Sequence, residues 1–167
     1  DNANEEEGLR ALDAFSAPLG VYAAMGNHDC YWDCQRVREI LANTHIRLLE
    51  NKAYRASRSA GDVWIIGIED GQTQKPDFKL AAQSVPKNAA TITLVHNPGL
   101  FDWPSNTQPL QLSGHTHAGQ VRFPLIGAPV VMSKHTNDTI KGWTIINNRI
   151  LIVTRGLGES GLPVRFG

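Results

Sequence analysis

The hydrophobic positions of the chain change their spacing several times, which is the pattern of a mixed α/β domain. Leu9, Leu12 and Phe15 recur at helical spacing behind three glutamates that favour the start of a helix. Apolar residues recur in the same way between Asp33, which can serve as an N-cap, and Thr44. The spacing predicts helices at about residues 4–16, 33–44 and 78–84.

Apolar or β-branched runs bounded by glycine, proline or asparagine predict the strands. Residues 20–25 form a short apolar run between glycines, as expected of a fully buried strand, and residues 90–95 form another. Two packed mixed β-sheets flanked by helices are the natural layering for about nine strands and three helices, so the predicted fold class is α/β. The other predicted strands are 47–50, 53–58 and 63–68, as successive antiparallel strands, and 110–113, 121–123, 143–146 and 150–154.

Composition limits the kind of partner that the chain can have. A length of 167 residues matches one domain, residues 1–167, with a substantial core. Sixteen Lys and Arg residues balance sixteen Asp and Glu residues, so there is no basic field of the kind that marks a nucleic-acid-binding protein. No apolar run approaches the roughly 18 residues that span a bilayer. We therefore expect a soluble chain without a nucleic-acid partner.

The two cysteines, Cys30 and Cys34, are four residues apart. On a helix this spacing places them on one face, where they could bind zinc, but a structural zinc site needs about four ligands and the chain has no second cysteine pair. Free, partly buried thiols are the interpretation that the sequence favours.

Three of the predicted buried strands end in polar clusters that contain His or Asn. Gly26-Asn-His-Asp29 follows the first strand, His96-Asn-Pro98 follows the strand at 90–95, and Gly114-His-Thr-His117 follows the strand at 110–113. Polar turns at strand ends are where mixed α/β folds place their chemistry. The recurrence predicts one shared site at one edge of the sheets.

The side chains in these clusters are suited to a transition metal. Imidazole nitrogen and amide oxygen are ligands of intermediate softness, which fit Mn, Fe, Zn or Co and fit Ca poorly. In an extended segment His115 and His117 would point to the same side and could bind one ion jointly or two ions side by side. A mononuclear zinc hydrolase built on His96, His115 and His117 is a further alternative, although no Asp or Glu base lies beside these residues in the sequence.

The three motifs carry a family resemblance. GNHD at 26–29, the single His96 at a strand end and GHTHAGQ at 114–120 resemble, in order and spacing, the later motifs of calcineurin-like metallophosphoesterases. The tail from Thr154 to Gly167 is similar to the end of a bacterial, often membrane-associated branch that includes relatives acting on UDP-diacylglucosamine. The resemblance implies a four-layer αββα sandwich and covers nearly the whole chain.

The resemblance implies a role for each motif residue. Asn27, His96 and His115 would bind one divalent metal ion and His117 would bind a second, the two ions being Mn, Fe or Zn. His28 would contact the phosphate and protonate the leaving oxygen, and Asp29 would orient the imidazole of His28. The implied reaction is hydrolysis of a phosphomonoester or phosphodiester by a metal-bridging hydroxide, with a small phosphoester or lipid-linked phosphate as substrate.

The resemblance is incomplete at the front. The family's Asp-x-His and Gly-Asp-x-x-Asp motifs, which supply the remaining metal ligands, are not in this sequence. The chain is therefore expected to be the C-terminal two-thirds of a phosphoesterase domain with an incomplete dinuclear site. The parent would be an enzyme located in the cytoplasm or at the inner membrane, where a missing upstream segment could anchor it. The alternative is a binding or scaffold module that keeps the fold without turnover.

Overall fold

The computed structural model describes residues 2–102, 109–125, 127–128, 141–158, 160 and 163–166. The helices are α1 (Asn2–Ala11), which continues into a single 3-10 turn (Leu12–Ala14), α2 (Asn27–Ala42) and the one-turn α3 (Phe78–Ala81). The strands are β1 (Val21–Ala23), β2 (Ile46–Leu48), β3 (Lys52–Arg58), β4 (Gly61–Ile68), β5 (Ala90–Val95), β6 (Leu110–Ser113), β7 (Gly142–Ile146) and β8 (Arg149–Val153).

The strands form two sheets. Strands β1 and β2 make a parallel pair, and the other six form a mixed sheet in the order β3-β4-β5-β6-β8-β7. The β3–β4 and β7–β8 pairs are antiparallel hairpins, whereas β4, β5, β6 and β8 run parallel to one another. The carboxyl ends of β5 and β6 therefore meet at one edge, because parallel neighbours end on the same side of a sheet.

The two sheets pack face to face through alternating side chains. Tyr22 of β1 points to the large sheet, where its ring lies 5.4 Å from the ring of Tyr54. Leu49, which follows β2, crosses so close to β4 that a Cβ on Gly67 would lie 2.2 Å from its side chain. Only glycine allows this approach, so the position of the small sheet over the large one is fixed locally.

Helices cover the outer faces of both sheets. Val37 and Leu41 of α2 pack against β1 and β2 in a cluster with Met25 and Ile46. On the other side, α3 contributes Phe78 and Ala81 to a cluster with three strand residues, Ile66, Ile68 and Val95. Burying each large aliphatic or aromatic side chain stabilises the fold by about 1.5–3 kcal/mol. The order helix, sheet, sheet, helix confirms the predicted α/β class with two packed sheets.

The structure corrects the predicted elements in several places. Helix α2 begins at Asn27 and not at Asp33, so the GNHD segment is the first helical turn rather than a loop. Asp33 has a non-helical backbone, and its carboxylate accepts hydrogen bonds from the amides of Gln35 and Arg36 at 2.9 and 3.0 Å. It caps the second part of α2, as the sequence indicates. The predicted strand at 121–123 contributes only isolated bridges, from Val121 to Phe166 and from Phe123 to Gly127.

Strand β2 is also paired differently from the prediction. It does not precede β3 as an antiparallel neighbour but runs parallel to β1, with Val21 opposite Ile46. The two strands are joined through α2, which is the crossover that a parallel pair requires. The chain then turns at Asn51, whose φ is 47°, before it enters β3.

Cys30 and Cys34 form a disulfide, so the expectation of free thiols is wrong. The break in helical backbone at Asp33 lies between them and brings their Cα atoms to 4.1 Å. Both cysteine side chains pack against the cluster formed by Met25, Val37, Leu41 and Ile46. Among the described residues, no helix combines the length and the hydropathy that crossing a membrane would require.

Candidate metal centre

The three polar clusters predicted from the sequence come together at one edge of the two sheets. Asn27 is in the first turn of α2, separated from the end of β1 by three residues (24–26), and His96 and His115 follow the neighbouring parallel strands β5 and β6. The amide of Gly114 donates to the carbonyl of His96 at 3.0 Å, which continues the β5–β6 pairing past the strand ends. Because side chains alternate along a strand, His96 points to the same face of the large sheet as Leu94. This is the face that packs on β1.

The atoms of three predicted ligands that would bind the metal lie close together. Oδ1 of Asn27 lies 3.0 Å from Nε2 of His96, and Nδ1 of His115 lies 3.2 Å from the same nitrogen. Donors held about 2.0–2.1 Å from one transition metal ion are separated by roughly 3 Å from one another. The spacing is therefore compatible with a shared ion, and it is equally that of ordinary hydrogen bonds within a polar cluster.

Gly26 is required for this convergence. A Cβ at Gly26 would lie 2.6 Å from atoms of the His96 ring, a distance that real Cβ contacts do not show. The glycine lets the start of α2 approach the imidazole, and its own φ of −107° is ordinary. The reason for glycine at this position is thus close packing rather than backbone conformation.

Burial keeps the imidazole of His96 neutral. The pKa of His96 is lowered from 6.5 to about 4, chiefly by burial and in addition by charge repulsion from the nearby His115. The buried carboxylate of Asp70 acts in the opposite direction without reversing the shift. Neutral imidazole is the form that binds a metal, so His96 is in the ligand state well below neutral pH.

The segment after His115 is a tight turn and not the extended strand that the sequence suggests. His115, His117, Ala118 and Gln120 all have positive φ angles, of 67°, 49°, 57° and 47°. Such conformations are costly for residues other than glycine and are concentrated at functional sites. Thr116 is buried in the turn, and its hydroxyl accepts a hydrogen bond from the amide of Ala118 at 3.4 Å.

His117 is placed near the cluster but does not join it. Its Nδ1 is buried and has no hydrogen-bond partner among the described residues, and its charge contributes to the lowered pKa of His96. An orphaned buried imidazole nitrogen is suited to a ligand that the protein itself does not supply. The expected division, with His115 facing one metal and His117 facing another, stays a prediction.

His28 and Asp29 occupy the same first turn of α2. His28 is exposed, its Nε2 lies 3.3 Å from the hydroxyl of Ser160, and its ring meets the Tyr31 ring edge-on at 5.5 Å. The carboxylate of Asp29 accepts a hydrogen bond from the Gly26 amide at 2.7 Å, while burial raises the pKa of Asp29. The carboxylate thus caps its own helix, and its expected role in orienting His28 stays a prediction.

The side chains present fit one divalent ion better than two. In the described part of the chain no three His, Cys, Asp or Glu side chains are grouped as a metal site would require. The convergent donors are two imidazoles and the Asn27 amide, a set suited to Mn, Fe or Zn with open coordination positions. The alternative trio of His96, His115 and His117 is not grouped in this way.

Three hydrogen bonds of the C-terminal tail could not be predicted from the sequence. Gln120 exchanges hydrogen bonds with the backbone of Ser160, and Arg165 donates to the carbonyl of His117 at 3.2 Å. Asp70, after the end of β4, is also missed, although its place at a strand end next to β5 is the signal that found His96. Gln120 lies inside the GHTHAGQ motif, so part of the tail contact could have been suspected.

Comparison with known proteins agrees with the geometry. The chain is 32% identical over 164 residues to the uncharacterized metallophosphoesterase YkoQ of Bacillus subtilis, covering 95% of this chain and 60% of that protein. It is 29% identical to the metallophosphoesterase YkuE of the same organism, covering 93% and 55% of the two chains. The chain is similar to metallophosphoesterases. These relatives support assignment to that family over most of the chain.

The likeness extends to a vertebrate protein. The transmembrane protein with metallophosphoesterase domain of Danio rerio is 31% identical over 163 residues, which are 89% of this chain and 36% of that protein. The chain thus spans about 60% or less of the length of these relatives. No family model and no solved structure matches the chain.

Proposed function

We propose that this protein hydrolyses a phosphomonoester or phosphodiester with the help of divalent metal ions. The observation that carries the proposal is the convergence of Asn27 Oδ1, His96 Nε2 and His115 Nδ1 at the edge where β1, β5 and β6 end. The names of the relatives support phosphoesterase chemistry in general. The substrate and the dinuclear character of the site are parts of the proposal.

Each residue has a defined task in this reaction. Asn27, His96 and His115 would hold one ion and His117 would belong to a second. Bound divalent ions supply a water of lowered pKa and neutralise the charge that builds up on the phosphoryl oxygens. His28, exposed in the first turn of α2, would donate a proton to the leaving oxygen, which a histidine that is not a ligand can do near neutral pH.

The first test is metal binding by the purified chain. We expect the chain to retain at least one Mn²⁺ or Zn²⁺ ion per molecule after loading and gel filtration, and His115→Ala to remove it. His45→Ala is the matched control, because His45 is an exposed histidine that pairs with Asp13 on another part of the surface. Equal metal content in the wild type and in His115→Ala would mean that Asn27, His96 and His115 form a hydrogen-bonded polar cluster and not a metal site.

The second test is turnover. With Mn²⁺, the protein should hydrolyse a nitrophenyl phosphodiester, and the double variant His28→Ala, His117→Ala should not. Activity that survives in the double variant would contradict the proposal. Because the chain spans about 60% or less of the length of these relatives, the same assay is run on the protein over its whole length.

The alternative is a binding or scaffold module that keeps the phosphoesterase fold. It is favoured by one observation, that no three acidic, His or Cys side chains of the described residues are grouped to hold an ion. A metal count of two ions per molecule would exclude it. A count of zero, together with retained folding, would support it.

A lipid-linked phosphate at a membrane surface is the substrate class that we propose to test first. Support comes from the tail motif of the sequence and from relatives whose names describe transmembrane proteins. Hydrolysis of a lipid phosphoester in vesicles should then exceed hydrolysis of its water-soluble headgroup ester. Equal rates for both would favour a small soluble phosphoester.

A further inference from the structure

The C-terminal tail contacts the exposed imidazole that the proposed reaction uses as its acid. The hydroxyl of Ser160 lies 3.3 Å from Nε2 of His28, across 132 residues of sequence. His28 is exposed, and within the described part of the chain its ring also meets Tyr31 edge-on. An exposed ring rotates readily about its side-chain bonds, so this hydroxyl is a restraint on the direction of Nε2.

Ser160 is itself held in place by the loop that carries His115 and His117. The side-chain amide of Gln120 donates to the carbonyl of Ser160 at 3.2 Å, and its oxygen accepts from the Ser160 amide at 2.8 Å. Such a paired hydrogen bond fixes both position and orientation. The backbone of Gln120 also accepts from the Phe166 amide at 2.9 Å, so two points of the tail are tied to one residue.

We propose that Ser160 is a positioning residue for His28 and that Gln120 holds Ser160 for this purpose. The inference rests on the proposed function, since it assigns His28 the role of acid. The contact is long for a hydrogen bond, and catalytic hydrogen bonds in unliganded sites often are. A leaving-group oxygen can therefore share the Nε2 proton with the hydroxyl, which keeps the ring aimed until the proton is transferred.

This arrangement connects the candidate acid with the candidate metal ligands through a single side chain. Gln120 follows the left-handed residues His117, Ala118 and Gly119, and its own φ is 47°. Any movement of that turn moves Gln120, and with it Ser160 and the restraint on His28. The position of the acid is thus tied to the position of the metal-binding loop.

The contact can be tested without turnover, on the metal-free chain. Carbon-13 relaxation of the His28 ring reports its order on the fast timescale. We expect the ring order parameter to fall clearly in Ser160→Ala and in Gln120→Ala and to stay at the wild-type value in Ser160→Thr, which keeps the hydroxyl. Ser59→Ala, in the exposed turn between β3 and β4, is the control. An equally ordered ring in wild type and Ser160→Ala overturns the proposal.

The functional consequence is tested with two esters that differ in leaving group. A nitrophenyl oxygen leaves without much help from an acid, whereas a phenyl oxygen needs its proton. With Mn²⁺, we expect Ser160→Ala to lower kcat for the phenyl ester about tenfold and for the nitrophenyl ester less than about twofold, a fraction of what a general acid contributes. The KM values should not change.

The remaining outcomes separate the two proposals. Equal losses on both esters, or a further loss when Ser160→Ala is added to His28→Ala, would mean that Ser160 does not act through His28. If the wild-type protein, assayed over its whole length, hydrolyses neither ester, the proposed function fails, and the relaxation experiment still decides whether Ser160 orders the ring.

Discussion

Oδ1 of Asn27 lies 3.0 Å from Nε2 of His96, although 69 residues separate the two in the sequence. The contact joins the first turn of α2 to the end of β5, and therefore joins the small sheet to the large one at the edge where the polar clusters meet. Because Asn27 is buried, its amide cannot exchange this partner for water. The pair is the structural centre of the proposed metal site.

Replacing Asn27 by Ala should weaken metal binding. The substitution removes one of three convergent donors, and even loss of a residue that only supports a ligand costs about 10–100-fold in metal affinity. Calorimetric titration with Mn²⁺ or Zn²⁺ should show a decrease of at least that size. Asn43→Ala, at the exposed end of α2, is the matched control. Unchanged affinity in Asn27→Ala would remove Asn27 from the ligand set.

Replacing Gly26 by Ala should destabilise the chain and disturb the site together. The new methyl would lie 2.6 Å from the His96 ring, so either the helix start or the imidazole must move. Overpacking of this kind costs about 1–3 kcal/mol. Urea unfolding should show that loss, and the metal affinity should fall with it.

Gly8→Ala provides the control for this substitution. Gly8 lies in α1, where a new methyl group would meet no described atom within 4 Å, and alanine is favoured over glycine in a helix by about 0.5–1 kcal/mol. The control should therefore stabilise the chain slightly. If both substitutions had the same effect, close packing at His96 would not be the reason for Gly26.

Stability of the metal-free chain should depend on pH through His96. Its pKa is about 4 in the folded chain and about 6.5 when unfolded. Between these values the unfolded chain binds the extra proton, so stability falls as the pH is lowered from 6.5 to 4. The loss by about pH 4.5 is on the order of 2–3 kcal/mol.

Asp29 changes the pH dependence of stability in the opposite direction. Burial raises its pKa, so the folded chain binds the extra proton and gains stability as the pH is lowered. The measurement therefore compares wild type with His96→Gln in urea at neutral and acidic pH, in the presence of a chelator. The Asp29 contribution is common to both proteins. A fall of the same size in both would show that His96 is not the source.

The sequence predicts which residues form the site but not the backbone conformation that they adopt. His96 could be found because a buried strand ends directly before it, and Asp33 because its carboxylate suits a helix cap. The turn from His115 to Gln120 could not, because positive φ is uncommon for residues other than glycine, and although histidine is enriched there, a histidine alone does not predict it. Spacing alone favoured an extended segment there.

Contacts between distant segments were the other limit of prediction. The parallel pairing of β1 with β2 depends on how α2 packs across both strands, which periodicity does not reveal. Ser160 lies 40 residues after Gln120, and the hydroxyl of a single serine in a glycine-rich tail has no pattern of its own. Such pairings are decided by tertiary packing rather than by local preference.

Replacing Arg165 by Ala should loosen the loop that carries His117. The guanidinium donates to the carbonyls of His117 and Arg155, both at 3.2 Å, and also to that of Gly158. It thereby anchors the tail beside the turn whose backbone is strained. Since a hydrogen bond to a charged group contributes about 1.5–3 kcal/mol and this one is exposed, we expect a loss at the lower end, or roughly tenfold faster local opening.

Native-state hydrogen exchange measures that opening residue by residue. The amides of Arg122 and Phe166 close the contacts between the turn and the tail, and the amide of Gln120 donates to the His117 carbonyl within the turn. All three amides should exchange faster in Arg165→Ala, while the amides shared by β4 and β5 should not change. Arg58→Ala, at the exposed end of β3, should leave both groups at their wild-type rates. Faster exchange throughout the large sheet would instead mean that Arg165 contributes to global stability and not to the loop.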